Sequence, residues 1–258
     1  MRITKPSIEL IRPEWDAPAN VEAFFTTRNG GVSSGAYGGA DGFNGLNLGD
    51  HVGDYGFAVK ANRSMLGEFV PGEPKWLKQI HSTKVLPADE ISVGTEADGS
   101  VTTNPNEVCV VMTADCVPIL LCDKEGRGVA AIHAGWRGLA DGVIQEGVRK
   151  LREKLPEKAE ILAWIGPCIR KEAFEVGPEV VKIFREGALK NVADVAIEPF
   201  GEKWRIDMPA FCIEALRLSG VDQVTDSGLC TASDPNRFYS YRRDGVTGRH
   251  AAVIFKRS

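Results

Sequence analysis

Histidine is scarce in this chain, and several widespread ligand-binding motifs are missing. The 258 residues contain only four histidines, which are His51, His81, His133 and His250. No two cysteines have CxxC spacing, which argues against a closed structural zinc site of that kind. Neither the GxGxxG dinucleotide fingerprint nor the GxxxxGKS/T phosphate loop occurs. Any metal site must therefore be built from residues that are distant in sequence.

Other absences restrict the partners and the compartment. No apolar run is long enough to span a bilayer, so no membrane partner is predicted. Residues 1–15 lack the apolar segment of a secretory signal. The net charge of −4 and the pI near 5.7 argue against nucleic-acid binding, which usually needs a basic surface. Most of the six cysteines lie inside apolar runs, so we expect reduced thiols in a cytoplasmic protein.

Composition and pattern predict a globular α+β fold. Hydrophobic residues make up 43% of the chain and charged residues 26%, which is ordinary for a globular protein. No repeat, low-complexity tract or linker is visible, so residues 1–258 are predicted to form a single domain. Strand and helix patterns mix without strict βαβ alternation, which favours mixed sheets covered by helices.

Periodicity and capping residues place the individual elements. Asp54 and Asp207 are predicted to cap the first and last of four helices. These helices are predicted at residues 57–69, 139–155, 178–186 and 208–218. Strands are predicted at residues 21–27, 75–80, 84–88, 108–112, 117–122, 129–132, 160–165 and 204–206, with a final hairpin formed by 238–242 and 251–255.

The segment 108–138, VCVVMTADCVPILLCDKEGRGVAAIHAGWRG, contains three apolar runs and two short polar breaks. Cys116 lies in the first break and His133 opens the second, so both are predicted at strand ends. His81 likewise follows an apolar stretch. Strand ends are a common place for reactive groups on a rigid scaffold. A long glycine-rich loop at residues 28–56 is predicted to form a pocket wall.

Two chemical interpretations of these residues are open. In one, His81, Cys116 and His133 bind zinc and leave a fourth position free for catalysis, where the ion lowers the pKa of a bound water. In the other, Cys116 is a nucleophile and a histidine is its base, as in cysteine hydrolases. Cys116 and His133 are predicted to be catalytic in both. A non-catalytic binding protein is a third possibility.

Several motifs together resemble those of the YfiH-like family, also called the laccase-domain or polyphenol oxidase family. The motifs are QIHSTKV around His81, TADCVPILL around Cys116, IHAGWRG around His133, TTRNGGVSSGAY, GLNLGDHVGD, IGPCI and FYSYRRDGVTGR. They follow the family order over nearly the whole chain. The chain departs from the family in two places. A serine follows His81 where many relatives have glycine, and residues 41–43 lengthen the glycine-rich loop.

The resemblance implies a four-layer α/β/β/α sandwich with mixed β-sheets and a zinc ion bound by His81, Cys116 and His133. It implies phosphorolysis of purine nucleosides: adenosine, inosine or methylthioadenosine reacts with phosphate to give the base and a pentose 1-phosphate. Some relatives also deaminate adenosine, and in bacteria the family is linked to editing of peptidoglycan precursors. Copper is less expected than zinc, because four histidines cannot supply a multicopper oxidase with its usual ligands.

Phosphorolysis requires residues that bind the phosphate and the nucleoside. Arg137 is the first candidate for phosphate, because it lies at the predicted start of a helix beside His133, and Arg28 and Arg242 are weaker candidates. Asn47 is predicted to bind a ribose hydroxyl or a base edge. Asp115 is predicted either to orient a ligand histidine or to act as a general acid or base. The sequence does not indicate which oligomeric state the protein adopts.

Overall fold

The structure is a computed structural model that describes residues 8–258. Within that range, no helix combines the length and the hydrophobicity that crossing a membrane requires. The predicted lack of a secretory signal concerns residues 1–15, of which residues 1–7 lie outside the described part. The strands, in chain order, are β1 (Leu10–Ile11), β2 (Val21–Thr26), β3 (Asn29–Ser33), β4 (Pro74–Lys75), β5 (Val85–Pro87), β6 (Gly99–Thr102), β7 (Val108–Thr113), β8 (Val117–Asp123), β9 (Val129–Ala134), β10 (Ile161–Ile165), β11 (Glu175–Val176), β12 (Ile197–Phe200), β13 (Lys203–Ile206), β14 (Gln223–Asp226) and β15 (His250–Lys256).

Two of the four predicted helices, those at residues 178–186 and 208–218, are confirmed at both ends. Asp207 caps the second of these by accepting a hydrogen bond from the Ala210 N–H at 3.1 Å. The helices are α1 (Gly56–Gly67), α2 (Trp136–Asp141), α3 (Val143–Arg152), α4 (Pro178–Glu186), α5 (Ala193–Ala196), α6 (Met208–Leu218) and α7 (Tyr241–Asp244). Asp54 does not cap α1, which begins after Tyr55, because its carboxylate accepts hydrogen bonds from Ser33 and Asn47.

All described strands except β3, which makes only isolated bridges with Gly45, form two large mixed sheets and one small antiparallel sheet. Sheet I has the order β1-β2-β15-β7-β4, in which the β7–β4 pair is parallel. Sheet II has the order β14-β10-β8-β9-β6-β5, with parallel pairs at both edges. The small sheet has the order β11-β13-β12. The mixed sheets that the sequence predicts are therefore present.

The two large sheets face each other across an apolar core. Phe25 and Val111 of sheet I and Leu120 and Trp164 of sheet II belong to one cluster of buried residues. Alternate residues of the same strands point outward, as the two-residue period of a strand requires. This face-to-face packing forms the two inner layers of the fold.

Helices cover both outer faces. The outer face of sheet I packs against α1, where Leu66 meets residues such as Phe24 and Val253. The outer face of sheet II packs against α2, α3 and α6, with Ile144 and Phe211 in the shared core, and α4 extends this core through the contact of Phe184 with Phe211. The four-layer α/β/β/α sandwich is thereby confirmed, with each large sheet packed between the central apolar core and a helical layer.

The segment 108–138 does not stay in one sheet. Strand β7 lies in sheet I, whereas β8 and β9 lie side by side in sheet II. The break between β7 and β8 is therefore the place where the chain crosses from one sheet to the other. Asp115 in this crossing has a left-handed backbone, with a φ of 92°. Cys116 thus lies at the rim where the two sheets separate.

The predicted strand at residues 75–80 is wrong beyond Lys75, and residues 84–88 do not pair with it. Strand β4 ends at Lys75, and the side chain of Gln79 takes the place of further strand pairing. Gln79 donates to the Met112 carbonyl at 2.8 Å and accepts from the Met112 N–H at 2.6 Å. The chain then turns at His81, whose φ is 58°, and β5 joins sheet II beside β6.

The predicted helix at 139–155 is two helices. It begins earlier, at Trp136, and is interrupted at Gly142, whose φ of 100° ends α2 and precedes α3. The predicted C-terminal hairpin is also wrong. Residues 241–244 form the short helix α7, and β15 pairs with β2 and β7 in the middle of sheet I. The apolar run of β15 suits a central strand that is buried on both faces.

Candidate metal centre and cleft

Three side chains from distant parts of the sequence converge at the rim of the sheets. His81 lies in the turn between β4 and β5, Cys116 follows the crossing between sheets, and His133 lies in β9. One imidazole nitrogen from each histidine and the Cys116 sulfur all lie within 4.8 Å of one another. The two rings are 4.8 Å apart and nearly perpendicular. The tertiary fold, and no local motif, assembles this group.

Strand pairing explains why the IHAGWRG motif contains glycine at position 135. Val117 of β8 pairs with Ala134 of β9, so Cys116 lies beside Gly135. A Cβ atom on Gly135 would lie 2.3 Å from the Nδ1 atom of His81 and 3.4 Å from the Cys116 sulfur. Any larger residue would therefore displace the His81 imidazole, whereas its contact with the Cys116 sulfur would be an ordinary one.

A buried carboxylate, Asp98, holds both histidines. Its side chain accepts hydrogen bonds from the backbone N–H groups of His81 at 3.0 Å and Ser82 at 2.6 Å. The same carboxylate contacts the Nδ1 atom of His133 at 2.8 Å. Asp98 therefore fixes the turn that carries His81, and it leaves the Nε2 atom of His133 free to bind a metal, as carboxylates commonly do for ligand histidines.

In the metal-free protein, the pKa values of the two histidines are shifted in opposite directions. Burial lowers the pKa of His133, but the charge of Cys116 and the hydrogen bond with Asp98 outweigh burial and raise that pKa to about 9. Burial and the neighbouring His133 lower the pKa of His81. The metal-free group therefore holds a proton on His133 at neutral pH, and metal binding must release it.

The donor set fits a metal ion. A thiolate and two imidazoles are ligands that zinc accepts, and three protein donors leave one tetrahedral position open. With bonds of about 2.0–2.3 Å, a tetrahedral zinc ion holds its ligand atoms about 3.3–3.8 Å apart. The separations within 4.8 Å are compatible with this geometry after small side-chain rotations.

The remaining two histidines cannot complete a multicopper set. His250 is fully buried, and its Nε2 atom accepts a hydrogen bond from the Tyr239 N–H at 2.8 Å. Burial lowers the pKa of His250 to about 3. His51 lines the cleft but is exposed beside Asp50 at 3.5 Å. At most three histidines therefore face the cleft, too few for several copper centres.

The converging group opens into a cleft of about 600 Å³. This volume lies within the range of about 300–1,000 Å³ that is typical of small-molecule sites. The cleft has a cationic part, formed by Arg137, Arg242 and Arg249. Its apolar part includes Ile169 and Phe174. The cleft can therefore accommodate a molecule that has both an anionic group and an apolar ring.

Asp115 does not orient a ligand histidine, because Asp98 has that contact. The Asp115 carboxylate is buried and accepts hydrogen bonds from Thr231 at 2.7 Å, from Ser240 at 3.0 Å and from the Arg242 N–H at 2.6 Å. These contacts tie the sheet crossing to the C-terminal segment. A role of Asp115 as general acid or base stays a prediction.

The structure does not bring Arg28 and Asn47 to the cleft. The Arg28 guanidinium donates to the carbonyl oxygens of Gly38 and Pro235 at 2.9 Å each. Asn47 is fully buried, and its Oδ1 atom accepts a hydrogen bond from the Arg249 N–H at 2.9 Å. Both side chains are engaged with the protein itself, so these contacts do not support the substrate contacts predicted for them.

Arg137 does line the cleft, although the helix that carries it is shorter than predicted. Its guanidinium lies over the Trp136 ring at 4.2 Å and has no ion pair or hydrogen bond within residues 8–258. Arg137 lies in the first turn of α2, as the predicted helix start requires, but α2 contains only six residues, which weakens its N-terminus as an anion site. The candidate for anion binding is the guanidinium alone.

Sequence reasoning missed Asp98, Gly135 and Arg249. A search for a carboxylate partner of a ligand histidine would have considered Asp98, because such partners are common. Gly135 was visible in the motif, but its steric role depends on the position of His81. Arg249 ends the motif FYSYRRDGVTGR, but its place in the cleft depends on the pairing of the adjoining strand β15 with β7.

The fold and the converging group define a four-layer sandwich protein with a candidate catalytic metal site at the rim of its sheets. A family model described as multi-copper polyphenol oxidoreductase laccase matches residues 22–257. A Haemophilus influenzae protein named purine nucleoside phosphorylase is 43% identical over 253 residues, which are 96% of this chain and 99% of the relative. The Escherichia coli protein named purine nucleoside phosphorylase YfiH is 42% identical and covers 96% of this chain and 98% of its own length.

A solved structure shows the same fold. The crystal structure of Neisseria meningitidis protein NMB0706 superposes with a TM-score of 0.87 at 43% identity, covering 96% of this chain and 99% of that one. The chain belongs to the YfiH-like family.

Proposed function

We propose that this protein is a zinc-dependent purine nucleoside phosphorylase. The observation that carries the proposal is the convergence of His81, Cys116 and His133 within 4.8 Å in a cleft that three arginines line. Relatives that are 42–43% identical over nearly the whole chain are named purine nucleoside phosphorylases, which supports the same activity here. The proposed nucleosides are adenosine, inosine and methylthioadenosine, with deamination of adenosine as a possible second activity.

The chemistry of phosphorolysis matches the two parts of the cleft. When the C1′–N9 bond breaks, positive charge develops on the sugar and the purine leaves as an anion or in protonated form. Phosphate supplies the nucleophile and carries negative charge that arginine offsets well, because its planar guanidinium forms paired hydrogen bonds. Apolar side chains such as Phe174 suit a purine ring. The cleft therefore has a suitable surface for each reactant.

His81, Cys116 and His133 would hold the zinc ion in this proposal. When bound, zinc supplies Lewis-acid activation of an oxygen atom. The contribution of Asp98 is to orient the His133 ring and the His81 turn before substrate binds. Arg137 is free to contact phosphate, and its stacking on Trp136 limits the positions of its guanidinium. Zinc is preferred to copper because the donors near the cleft suit one ion with two histidines.

The test is an incubation with inosine in phosphate-free buffer, followed by addition of phosphate. Hypoxanthine and ribose 1-phosphate are expected only after phosphate is added. Release of hypoxanthine and free ribose at the same rate without phosphate would contradict phosphorolysis and favour a hydrolase that uses Cys116. Metal analysis of the same preparation is expected to find zinc.

Arg137→Ala tests the contribution of the exposed arginine to phosphate binding. We expect a higher KM for phosphate or a rate lowered about 10- to 1,000-fold, because transition-state stabilisation is lost. Full activity of this variant would leave phosphorolysis intact and remove Arg137 from the phosphate site.

A further inference from the structure

We propose that Arg249 is the anchor of an oxyanion site in the cleft, and that this site binds the phosphate that attacks the nucleoside. The inference rests on the proposed function for the identity of the reaction. The binding site itself is argued from the contacts of Arg249, and its chemical class of ligand is a tetrahedral oxyanion.

The charge of Arg249 is only partly matched by the protein. The Nη1 atom donates to the carbonyl oxygens of Thr247 and Gly248 at 3.0 Å each. No carboxylate within residues 8–258 forms an ion pair with this guanidinium, and its Nε and Nη2 atoms have no hydrogen-bond partner there. Arg249 is nevertheless partly buried and lines the cleft. A partly buried charge without a direct ion pair favours an anionic ligand, because desolvation is costly unless an opposite charge in contact offsets it.

Contacts with the glycine-rich loop fix the position of Arg249. Its backbone N–H donates to the buried Oδ1 atom of Asn47. Asn47 is itself held by Asp54 at 2.9 Å and by Asn62, which donates to the Asn47 carbonyl at 2.8 Å. A Cβ atom on Gly49 would lie 2.7 Å from the Cγ atom of Arg249, so glycine is needed for this close approach. These contacts leave the unpaired nitrogens of Arg249 available at the cleft.

Arg249 differs from the other two cleft arginines in its burial. Arg137 is exposed and rests only on Trp136. Arg242 is held much as Arg249 is, with its backbone N–H on Asp115 and its Nη1 atom on the Glu175 carbonyl at 2.7 Å, but it is exposed. Arg249 is both held and partly buried, so little side-chain freedom is lost when its remaining nitrogens bind an anion. His81, Arg137 and Arg249 line the same cleft. An oxyanion between these arginines would therefore lie beside the metal ligands.

Equilibrium binding of inorganic phosphate to the zinc-loaded protein, measured by calorimetry, tests the site. Arg249→Gln is expected to weaken phosphate binding about 10- to 100-fold, as the loss of charge-assisted hydrogen bonds predicts. Arg249→Lys should recover part of the affinity, because it keeps the charge but not the planar fork. Gly49→Ala should also weaken binding, because the added methyl group displaces Arg249 without changing its charge.

Arg152→Gln is the matched control. Arg152 also donates from one terminal nitrogen to two backbone carbonyls, those of Ser219 and Gly220, but it does not line the cleft. Its replacement should leave phosphate affinity unchanged. In steady-state assays, Arg249→Gln should raise the KM for phosphate and leave the KM for inosine unchanged, which a general loss of folding would not do.

The outcomes separate this inference from the proposed function. Phosphate affinity equal to that of the wild type in a folded Arg249→Gln protein would overturn the inference even if phosphorolysis is observed. Absence of phosphate binding to the wild type would also overturn it, as would binding of a purine nucleoside monophosphate without binding of free phosphate. Loss of phosphate binding in Arg249→Gln, in a protein that does not phosphorolyse any nucleoside, would support the oxyanion site and refute only the proposed reaction.

Discussion

The apolar interiors of β7 and β8 and the crossing between these two strands place cysteine in opposite environments. Cys109 in β7 and Cys122 in β8 are fully buried between the sheets, and burial raises the pKa of each thiol to about 12. Cys116, between those strands, is partly exposed and lies beside His81 and His133. The difference arises because the chain changes sheets at Cys116, so this thiol leaves the apolar core and meets polar partners.

The comparison shows that reactivity here depends on position within the fold and not on residue type. A buried thiol without a positive neighbour behaves as a small hydrophobic residue. A thiol beside two imidazoles can become a thiolate and bind a metal. The polar residues at the rim, above all Asp98, therefore give Cys116 an environment that the buried cysteines lack.

The largest expected effect is that of replacing the rim cysteine. Cys116→Ala should lose both bound zinc and phosphorylase activity, because it removes one of three metal ligands. Cys122→Ala should keep both and lose about 1 kcal/mol of stability from a small cavity in the core. Zinc per chain, product formation and urea unfolding of the two purified variants provide the measurement. Zinc loss in Cys122→Ala with Cys116→Ala unaffected would reverse the assignment.

A smaller effect is expected from the carboxylate that orients the ligands. Asp98→Asn should weaken zinc affinity about 10- to 100-fold, because the neutral amide supports the His133 ring less than a carboxylate does and its NH2 group cannot accept the Ser82 N–H that the second carboxylate oxygen holds. Asp115→Asn is the matched comparison, because Asp115 is also buried and accepts three hydrogen bonds but contacts no ligand histidine. Competition with a zinc chelator measures both affinities, and equal losses would remove the special role of Asp98.

The last comparison concerns pH, and it separates two buried histidines in the metal-free protein. The pKa of His133 is raised from 6.5 to about 9, so its contribution to stability is fully present below pH 6.5 and is lost between pH 6.5 and 9. The pKa of His250 is lowered to about 3, so its contribution is present above pH 6.5 and is lost as the pH falls toward 3.

Urea unfolding of chelator-treated protein at several pH values measures both slopes, each at most about 1.4 kcal/mol per pH unit. His133→Asn should remove the alkaline slope and leave the acid slope. An unchanged alkaline slope in His133→Asn would mean that another group binds the proton.

Elements defined by local pattern were predictable from the sequence. Helices α4 and α6 have the predicted bounds because Pro178 and Asp207 are strong local start signals. The buried strands β7, β8 and β9 were also predicted, since their apolar runs are continuous. The break at Gly142 was missed because the apolar spacing continues across it.

Contacts between distant segments were less predictable. The resemblance to known motifs brought His81, Cys116 and His133 together, whereas their spacing alone did not. Arg249 and Asn47 are in contact although they are 202 residues apart in the sequence, and no periodic pattern predicts such a contact. Asn47 was therefore predicted to contact a substrate, whereas it accepts a hydrogen bond from the backbone N–H of Arg249.

The pairing of β6 with β9 sets the alignment of the metal centre. Gly99 pairs with Ile132, and the next pair along the ladder is Asp98 with His133, joined by a backbone hydrogen bond of 2.7 Å. A shift of one residue in a ladder turns every side chain to the opposite face. A single-residue insertion in β6 or β9 would thus separate the carboxylate from its histidine even if the sandwich still formed. An insertion in the polar turn at residues 124–128 changes no such alignment, so natural length variation is tolerable there and not in these two strands.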